Sequence, residues 1–511
     1  MVPLKPQSLL FGKDIVICDS LNLDQGEVAI CSAFNGWLYA IVTYYDSINE
    51  GPGAYLLRSI DNGITWTNLY GGSYSSNGGI LRSNNIVAIG DSNSNLKVFW
   101  STIYSDTPSD LGGGYVYRFN GITGDFEAAI FVYADGLSSI AIASDYNYQA
   151  FGSTHPTLGM VCSTLTQVAF HSSSNGGISF DNSQLVATTS TYYFHKVALN
   201  YGRSPSWSTG RYFAAWEAQA SQTSTIGHIY SAHSEPDFNS SFTTPVCIDS
   251  IDPSAINKVR NPAIACQFSS ADNDSSSLTE VIMLEKQLSP NNYDTRGFYN
   301  LQATTSNHFG KFSISSSTNN KTQPDINFNP YNSTFMLTYY DFTLRSLPFL
   351  TNDVNLVNPD SWNVISPAYN DNGNLVLPLP KVNLNFVKQA GMDTYTSEGT
   401  NGHGIALFDA PYSTYTGVSG HSTGTSAKLN GTYPNPCSTT IRIAFELKDA
   451  GIVTIDVMDI MGQTLGTVTD QVYSPCKHVV KYDVSNLPDG NYLYRFRSGD
   501  ITITGKFIVI R

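Results

Sequence analysis

A recurring strand decides the fold of this chain, and its first copy is LYAIVTYYD at residues 38–46. Each copy is an apolar or aromatic run, and the clearest copies end in an acid. The further copies are YFAAWEA (212–218), VIMLEK (281–286), FMLTYYD (335–341) and IALFDA (405–410), while LKVFWST (96–102) and LGMVCST (158–164) share only the apolar part. Copies about 60 residues apart, with room for about four strands each, indicate stacked β-sheet repeats.

Such repeats predict an all-β protein in which four-stranded sheets pack around an axis as a β-propeller. Seven blades are expected, and six is the alternative because the last repeat, about residues 375–415, is the least regular. The segments NPAI (261–264) and QPDI (323–326) are expected to be innermost strands of their blades. The early strand KDIVICD (13–19) is expected to complete the last blade and close the ring.

The composition agrees with an all-β class and excludes several functions. The 511 residues include 31 Tyr, 26 Phe and 41 Gly, and only 13% are charged. The net charge is −14 without a Lys/Arg cluster, which excludes a nucleic-acid-binding protein. No apolar stretch approaches the roughly 18–20 residues needed to cross a bilayer, so no transmembrane segment is expected.

The chain is expected to contain two domains joined by a linker. Residues 1–418 form the propeller, the Gly/Ser-rich stretch 419–431 forms the linker, and residues 432–511 form a second domain. The second domain contains short strands that alternate apolar and polar residues, separated by Gly, Pro and Asp turns. This pattern is typical of a small Ig-like β-sandwich.

Residues 428–511 carry a family resemblance. They open with Tyr433-Pro434-Asn435-Pro436, continue with the run GxVxIxVxDxxG from 451 to 462, then Gly490 and Tyr492, and end with Gly505-Lys506 before IVIR. The segment resembles the type A C-terminal sorting domain of the type IX secretion system of Bacteroidetes. The resemblance implies a protein that is secreted or held at the outer cell surface, with the secretion machinery as a partner. Whether the sorting domain stays attached after export is left open.

A second resemblance lies inside the repeats. The box S-x-D-x-G-x-T-W is complete at Ser59, Asp61, Gly63, Thr65 and Trp66, and a variant has Asn175 and Gly177. These segments resemble the Asp-box (BNR) repeats of sialidases and other secreted propellers. The resemblance implies turns between third and fourth strands, on the rim away from the ligand-binding face. It therefore supports the fold and says little about activity.

A sialidase-like activity is not supported by the sequence. That family uses three Arg residues on the substrate carboxylate, a Tyr nucleophile with a Glu, and an Asp acid/base. No Arg-Ile-Pro motif occurs near the start, and the nearest segment, Arg260-Asn261-Pro262, lies too late in the chain. The negative net charge also disfavours an anionic sugar.

Acids at the ends of the predicted second strands are the candidate site. The ligand-binding candidates among them are Asp46, Glu217, Asp341 and Asp409, and Glu217 and Glu285 are the candidates for a catalytic pair. Acids from several blades are expected to approach one face, where they could bind glycan hydroxyls or a cation. The alternative is structural, with each acid capping a strand or accepting hydrogen bonds from turn amides.

Aromatic residues and an acidic loop complete the candidates. Trp207 and Trp216 are expected to stack on a sugar ring, with burial in the core as the alternative. Asp272 and Asp274 lie in an oxygen-rich run that could bind calcium, although its spacing completes no recognised loop. No cofactor follows with certainty.

The seven Cys residues form neither a CxxC nor a CxxH pair, and the His residues form no HxH or HExxH pattern, which argues against a zinc or other transition-metal site. The spacing permits disulfides between Cys18 and Cys31, Cys247 and Cys266, and Cys437 and Cys476, and seven free thiols are the alternative.

The function expected from these features is non-catalytic binding or adhesion to an extracellular glycan or protein ligand. The alternative is a glycan-degrading enzyme on the same propeller, and a second alternative is a structural subunit of a surface assembly. Propellers host all three, so the fold does not separate them.

Overall fold

The computed structural model divides into two compact units, Met1–Tyr412 and Ser413–Arg511. The structure describes residues 10–11, 15–18, 23–46, 51–61, 63, 65–73, 78–90, 92–107, 110–145, 157–203, 210–221, 227–235, 241–249, 258–267, 278–289, 292–303, 307–314, 319–329, 334–341, 347–353, 363–368, 383–387, 390–398, 404–409, 411–412, 427–433, 435, 437–447, 451–459, 463–473, 477–498 and 501–510.

The first unit consists almost entirely of strands. They are β1 Leu10–Phe11, β2 Ile15–Cys18, β3 Leu23–Ser32, β4 Leu38–Asp46, β5 Gly51–Ser59, β6 Thr67–Ser73, β7 Ile80–Ile89, β8 Lys97–Ser105, β9 Gly112–Asn120, β10 Phe126–Leu137, β11 Ser139–Ser144, β12 Leu158–Ser163, β13 Gln167–Ser173, β14 Asn182–Thr188, β15 Tyr193–Gly202, β16 Arg211–Gln219, β17 Gly227–His233, β18 Val246–Cys247, β19 Val259–Cys266, β20 Glu280–Ser289, β21 Asn292–Asn300, β22 Gly310–Ser313, β23 Lys321–Asn329, β24 Thr334–Asp341, β25 Leu347–Asp353, β26 Asn363–Ala368, β27 Asn383–Val387, β28 Ala390–Glu398, β29 Gly404–Asp409 and β30 Pro411–Tyr412. A single-turn 3₁₀ helix spans Asn93–Asn95.

Of the 30 described strands of this unit, 28 form a closed ring of seven four-stranded antiparallel blades, and β1 and β30 pair in a separate two-stranded sheet. Blades 1 to 6 use β3–β6, β7–β10, β11–β14, β15–β18, β19–β22 and β23–β26, and blade 7 has the order β27-β28-β29-β2. The innermost strands contact one another in blade order, and β27 contacts β3. The seven-bladed propeller is therefore confirmed, and the six-bladed alternative is wrong.

Blade 7 is closed by the N-terminal strand, as predicted. Strand β2 pairs with β29 through Ile15 and Phe408, and the buried Ile17 belongs to the apolar core of blade 1 with Val28 and Leu38. One assignment was wrong: β29, which contains IALFD, is the third strand of its blade and not the second. The error arises because the second strand, AGMDTYTSE, lacks the apolar run, whereas the third carries it.

Large aromatic side chains fill the spaces within and between blades. Trp100 is fully buried in the core shared by blades 1 and 2, and Trp216 and Tyr212 lie in the core around blade 4. Alternating side chains of a strand lie on its two faces, so a blade packed on both sides needs the continuous apolar second strands seen in the sequence.

The Ser59–Trp66 turn joins β5 to β6, between the third and fourth strands of blade 1. Asp61 accepts hydrogen bonds from the Thr65 amide (2.9 Å) and hydroxyl (2.6 Å), and Ser59 accepts one from the Gly63 amide (2.8 Å). Gly63 has φ +88°, and the Trp66 indole donates to its carbonyl oxygen at 3.0 Å.

The second turn joins β13 to β14 in blade 3. Asn175 Oδ1 accepts a hydrogen bond from the Ser179 amide at 3.1 Å, and Ser173 accepts one from the Gly177 amide at 2.9 Å. Both turns lie between third and fourth strands, as expected.

The second unit contains β31 Ala427–Tyr433, β32 Thr440–Leu447, β33 Gly451–Met458, β34 Thr464–Tyr473, β35 Lys477–Asp483, β36 Gly490–Ser498 and β37 Ile501–Val509. Sheets of order β31-β32-β35 and β34-β33-β36-β37 enclose an apolar core that includes Ile443, Phe445, Phe496 and Phe507. Because β31 begins at Ala427, the last five residues of the predicted linker belong to a sheet.

Among the described residues, six cysteines form no disulfide, namely Cys18, Cys31, Cys162, Cys247, Cys266 and Cys437. The pairs Cys18–Cys31 and Cys247–Cys266 that the spacing permits are therefore not formed. Cys437 is a buried free thiol, and Cys476 lies outside the described residues.

Candidate functional site

A cavity of about 1200 Å³ lies along the propeller axis, and residues of the innermost strands of blades 1 to 6 line it. The innermost strands begin and the second strands end at the same end of this cavity, because neighbouring strands are antiparallel. This end is called the channel mouth. Lining residues there include Glu27, Ser83, Lys196, Asn261 and Gln323, so the channel mouth is polar.

Five innermost strands carry a β-bulge at the channel mouth. The pairing with the second strand is interrupted between Gln25 and Val28, Arg82 and Asn85, Phe194 and Val197, Arg260 and Ala263, and Thr322 and Asp325. A bulge removes residues from the ladder and redirects their polar groups. The same irregularity in blades 1, 2, 4, 5 and 6 therefore turns polar groups toward the axis.

Three bulge residues that are not glycine adopt left-handed backbone conformations. The φ angles are +55° at Ser83, +53° at Asn261 and +53° at Gln323. Such conformations cost on the order of 1–3 kcal/mol each and concentrate at functional sites. Asn261 and Gln323 also precede Pro262 and Pro324, which further restricts their backbones.

Acids of the preceding blade hold these bulges in place. Glu27 Oε2 of blade 1 accepts hydrogen bonds from the amide (2.9 Å) and side chain (2.8 Å) of Asn84 in blade 2. Glu217 Oε2 of blade 4 accepts one from the Asn261 amide of blade 5 at 3.3 Å. Glu285 Oε1 of blade 5 accepts one from the Gln323 amide of blade 6 at 2.7 Å.

The two candidate catalytic carboxylates both have partners on each oxygen. Glu285 is fully buried, and it also accepts hydrogen bonds from Arg260 Nε and Asn261 Nδ2, each at 2.7 Å. Glu217 accepts a hydrogen bond from Gln219 Nε2 on its other oxygen. These contacts match the structural alternative, in which acids accept hydrogen bonds from bulge and turn amides.

Glu217 lies in a mixed group of charged and polar residues. Burial raises the pKa of its carboxyl group, while hydrogen bonds from Gln219 and Asn261 and the charges of Lys258 and Lys196 oppose the shift. Burial, and to a lesser extent Lys258, lowers the pKa of His195, so this imidazole is neutral at pH 7. Lys196 Nζ donates to Asn261 Oδ1 at 3.3 Å.

The other predicted acids are divided between the two ends of the blades. Asp46 and Asp341 end second strands at the channel mouth; Asp46 is half-buried, and the buried Asp341 accepts a hydrogen bond from Asn319 Nδ2 at 2.9 Å. Asp409 ends the third strand of blade 7 and so lies at the opposite end. The expectation that it joins the other acids on one face is wrong, for the reason given above for β29.

Among the predicted aromatic and calcium-binding residues, the structure describes only Trp216. Trp216 is 1% exposed and packs against Phe194 and Tyr230, with ring centroids 6.4 and 6.0 Å away. It is therefore a core residue, and its ring is not available for stacking on a ligand. Trp207, Asp272 and Asp274 lie outside the described residues.

Sequence reasoning missed the bulge residues Ser83, Asn261 and Gln323. A signal was present in two of the three strands, because polar residues interrupt mainly apolar first strands at RSNN (82–85) and RNPA (260–263), whereas the strand around TQPD (322–325) is polar over much of its length. The sequence predicts NPAI (261–264) to be an innermost strand, which is confirmed by β19, but it does not predict the bulge between Arg260 and Ala263.

The described residues of the sorting motif lie on β31, β36 and β37 and in the segment between β31 and β32. Asn435 Oδ1 accepts a hydrogen bond from the Ile508 amide at 2.9 Å, and Tyr492 Oη donates to the Pro488 carbonyl at 2.7 Å. Gly490 begins β36, and β37 contains Lys506 and Gly505, where any side chain would collide with Tyr494. Tyr433 ends β31, and Pro434 and Pro436 lie outside the described residues.

Residues 431–510 match the secretion system C-terminal sorting domain. The protein is therefore a substrate of the type IX secretion system and is exported to the extracellular space or the cell surface. In the part of the chain that the structure describes, no helix is long and apolar enough to cross a membrane. No curated protein matches the chain.

Several solved structures have a similar fold at low sequence identity. The GH93 α-L-arabinofuranosidase of Fusarium graminearum with arabinobiose has a TM-score of 0.45 and 12% identity, covering 78% of this chain and 97% of that chain. A protein of unknown function from Dyadobacter fermentans DSM 18053 has a TM-score of 0.45 and 11% identity, covering 79% and 98%. The sialidase of Trypanosoma rangeli with the inhibitor DANA has a TM-score of 0.42 and 9% identity, covering 98% and 90%.

Proposed function

We propose that the propeller of this exported protein binds an extracellular glycan at the channel mouth without cleaving it. The observation that carries the proposal is the set of left-handed, non-glycine bulge residues Ser83, Asn261 and Gln323, which all line one cavity. Three unfavourable backbone conformations at equivalent positions are better explained by a ligand site than by packing, because packing alone would be served by a regular strand.

The charged groups around these bulges support binding more than catalysis. Both oxygens of Glu217 and of Glu285 accept hydrogen bonds from protein groups, and they fix the neighbouring bulge. A general acid or base has to reach the substrate, whereas these carboxylates hold the backbone that would contact it. Fixing the polar groups before the ligand arrives lowers the entropic cost of binding.

Lys196 and Lys258 are the side chains proposed to contact the glycan. Both line the cavity close to Glu217, and both are half-buried. Hydrogen bonds from an ammonium group to sugar hydroxyls are stronger than those between neutral groups and are worth about 1.5–3 kcal/mol each. The cavity volume of about 1200 Å³ is large enough for a short oligosaccharide.

A glycan array probed with the full chain tests the proposal, followed by calorimetric titration of the best oligosaccharide. We expect Lys196→Ala and Lys258→Ala each to weaken binding about tenfold or more. Lys97→Ala is the matched control, because Lys97 begins the second strand of blade 2, at the end of the blade away from the channel mouth, and pairs with Glu127. A blank array, or an equal loss in the control, would contradict the proposal and favour a protein ligand or a structural subunit.

The rival function is glycan degradation, and one observation favours it. Glu217 is a buried carboxyl group with a raised pKa at the channel mouth, which is a property of general acids. Incubating the bound oligosaccharide with the protein and analysing the products separates the two functions. Products that disappear in Glu217→Gln would establish the enzyme, and an unchanged oligosaccharide supports binding alone.

A further inference from the structure

A second group of reactive side chains lies on blade 4, apart from the channel. His228 Nδ1 is 2.9 Å from Asp249 Oδ2, and Cys247 Sγ is 3.2 Å from Asp249 Oδ1. The ligand-type atoms of the three residues all lie within 4.8 Å of one another. None of the three lines the axial cavity.

The pairing of the outer strands brings these residues together. Tyr230 of β17 pairs with Cys247 of β18, and the Ile248 amide donates to the Ile229 carbonyl at 2.9 Å. The same ladder sets His228 opposite Asp249. Because alternate residues of a strand share a face, His228, Cys247 and Asp249 lie on one face of the blade. The Ile229 amide also donates to Asp249 Oδ1 at 3.0 Å and holds the carboxylate in position.

We propose that His228, Cys247 and Asp249 bind a divalent transition-metal ion of the zinc class. The three residues supply imidazole, thiolate and carboxylate, which are the ligand types that zinc takes in proteins. Ligand atoms around a tetrahedral zinc ion lie roughly 3.2–3.8 Å apart, so the distances here need only small side-chain rotations. A solvent molecule completes the fourth position.

The burial of the three residues suits such a site. Asp249 is 2% exposed, whereas the His228 side chain is 29% exposed and gives the ion access from solvent. Tyr192 packs edge-on against the His228 ring, with centroids 5.9 Å apart, and restricts its orientation. Binding releases the Cys247 thiol proton to the solvent, and no electron transfer is involved.

Export gives a reason for a metal ion to bind Cys247. The thiol is half-buried and forms no disulfide, and extracellular conditions oxidise accessible thiols. A bound metal ion protects the thiolate from oxidation and links the two-residue strand β18 to its neighbour β17. The absence of a CxxC pair does not conflict with this site, because its ligands come from cross-strand pairing.

Cobalt(II) titration of the metal-free, reduced full-length protein tests the site. We expect one Co²⁺ per chain with a thiolate-to-cobalt charge-transfer band in the near ultraviolet, which Zn²⁺ then abolishes. Cys247→Ser should lose this band, and Asp249→Asn should weaken Co²⁺ binding. Cys18→Ser is the matched control, because Cys18 is also a half-buried cysteine of the propeller that forms no disulfide, and this variant should keep the band. No band in the wild type, or a band that persists in Cys247→Ser, overturns the proposal.

A second measurement needs no variant and covers the case in which Cys247→Ser does not fold. Zn²⁺ should slow the alkylation of Cys247 by iodoacetamide in the native protein while leaving Cys18 unchanged, as followed by peptide mass spectrometry. Equal labelling of Cys247 with and without Zn²⁺ overturns the site.

Discussion

Buried acids in this propeller connect one blade to the next. Glu27, Glu217 and Glu285 each accept a hydrogen bond from a bulge amide of the following blade. A buried carboxylate is costly unless its oxygens have partners, and backbone amides supply partners in fixed positions. Acids that appeared catalytic in the sequence thus have a demonstrable structural task.

Glu280 is a buried acid with a different environment. It begins β20 and is 2% exposed, and Ser231 Oγ of blade 4 donates to its Oε1 at 2.7 Å. Burial raises the pKa of this carboxyl group to about 7, and the Ser231 hydrogen bond opposes the shift. In the unfolded chain a Glu carboxyl titrates at about 4.3, so between these values the folded protein binds more protons.

Glu280 therefore makes the propeller less stable as the pH rises from about 4.5 to 7. We expect Glu280→Gln to remove this pH-dependent loss. Between pH 4.5 and 7 the free energy of unfolding of the variant should rise by up to about 3 kcal/mol relative to that of the wild type, and above pH 7 the difference should stay constant. Urea unfolding at pH 4.5, 6 and 8 measures the difference. Glu235→Gln, at a side chain that is 45% exposed, is the control and should parallel wild type. Parallel curves for Glu280→Gln would contradict the prediction.

Among the elements, the turns between third and fourth strands connect blades at the end away from the channel mouth. The Gly177 turn of blade 3 contacts blade 2, where Arg118 Nη1 donates to the Gly177 carbonyl at 3.0 Å. Gly177 has φ +77°, and a Cβ there would lie 2.3 Å from the ring of Phe99. The glycine is required both by the backbone conformation and by the neighbouring blade.

Gly177→Ala and Gly36→Ala separate these two requirements. Gly36 has φ +81° but no atom within 4 Å of an added Cβ, so its substitution carries only the left-handed cost of about 1–2 kcal/mol. We expect the clash with Phe99 to lower the free energy of unfolding of Gly177→Ala by about a further 1–3 kcal/mol. Denaturant unfolding of both variants measures the difference, and equal losses would contradict the predicted cost of the clash with Phe99.

The elements also show what could be predicted from sequence. The second strands of blades 1 to 6 were predictable because both of their faces are buried, which requires a continuous apolar run. The bulges were not predictable, because Ser83, Asn261 and Gln323 differ in residue type. The carboxylates that accept hydrogen bonds from the bulge amides also come from the preceding blade. Likewise, no spacing rule relates His228 to Cys247 and Asp249, since a strand ladder brings them together.

At the scale of the whole molecule, the chain contains two units with separate apolar cores. In the second unit, the 5% exposed Asp456 accepts hydrogen bonds from Arg497 (2.7 Å), Arg495 (3.3 Å) and Thr467 (2.9 Å). The arginines are substantially exposed, so solvent weakens their contribution to stability.

We expect Asp456→Asn to lower the unfolding temperature of the sorting domain and to leave that of the propeller unchanged. The free energy of unfolding of this domain should fall by about 1–2 kcal/mol, because the charged acceptor is replaced by a weaker amide oxygen. Differential scanning calorimetry of the full chain shows whether one transition moves alone. Lys481→Gln, at an exposed position of β35, is the control. A shift of both transitions would mean that the two units unfold together.

Ring closure by β2 sets the order in which this protein can fold. Ile15 finds its partner Phe408 only after the other six blades have been synthesised, so the final pairing spans almost the whole propeller. Contacts of such long range form slowly, and an unpaired strand attracts other chains in the meantime. A chain that must also leave the cell is thus safest from aggregation when β2 stays shielded until the last blade has emerged.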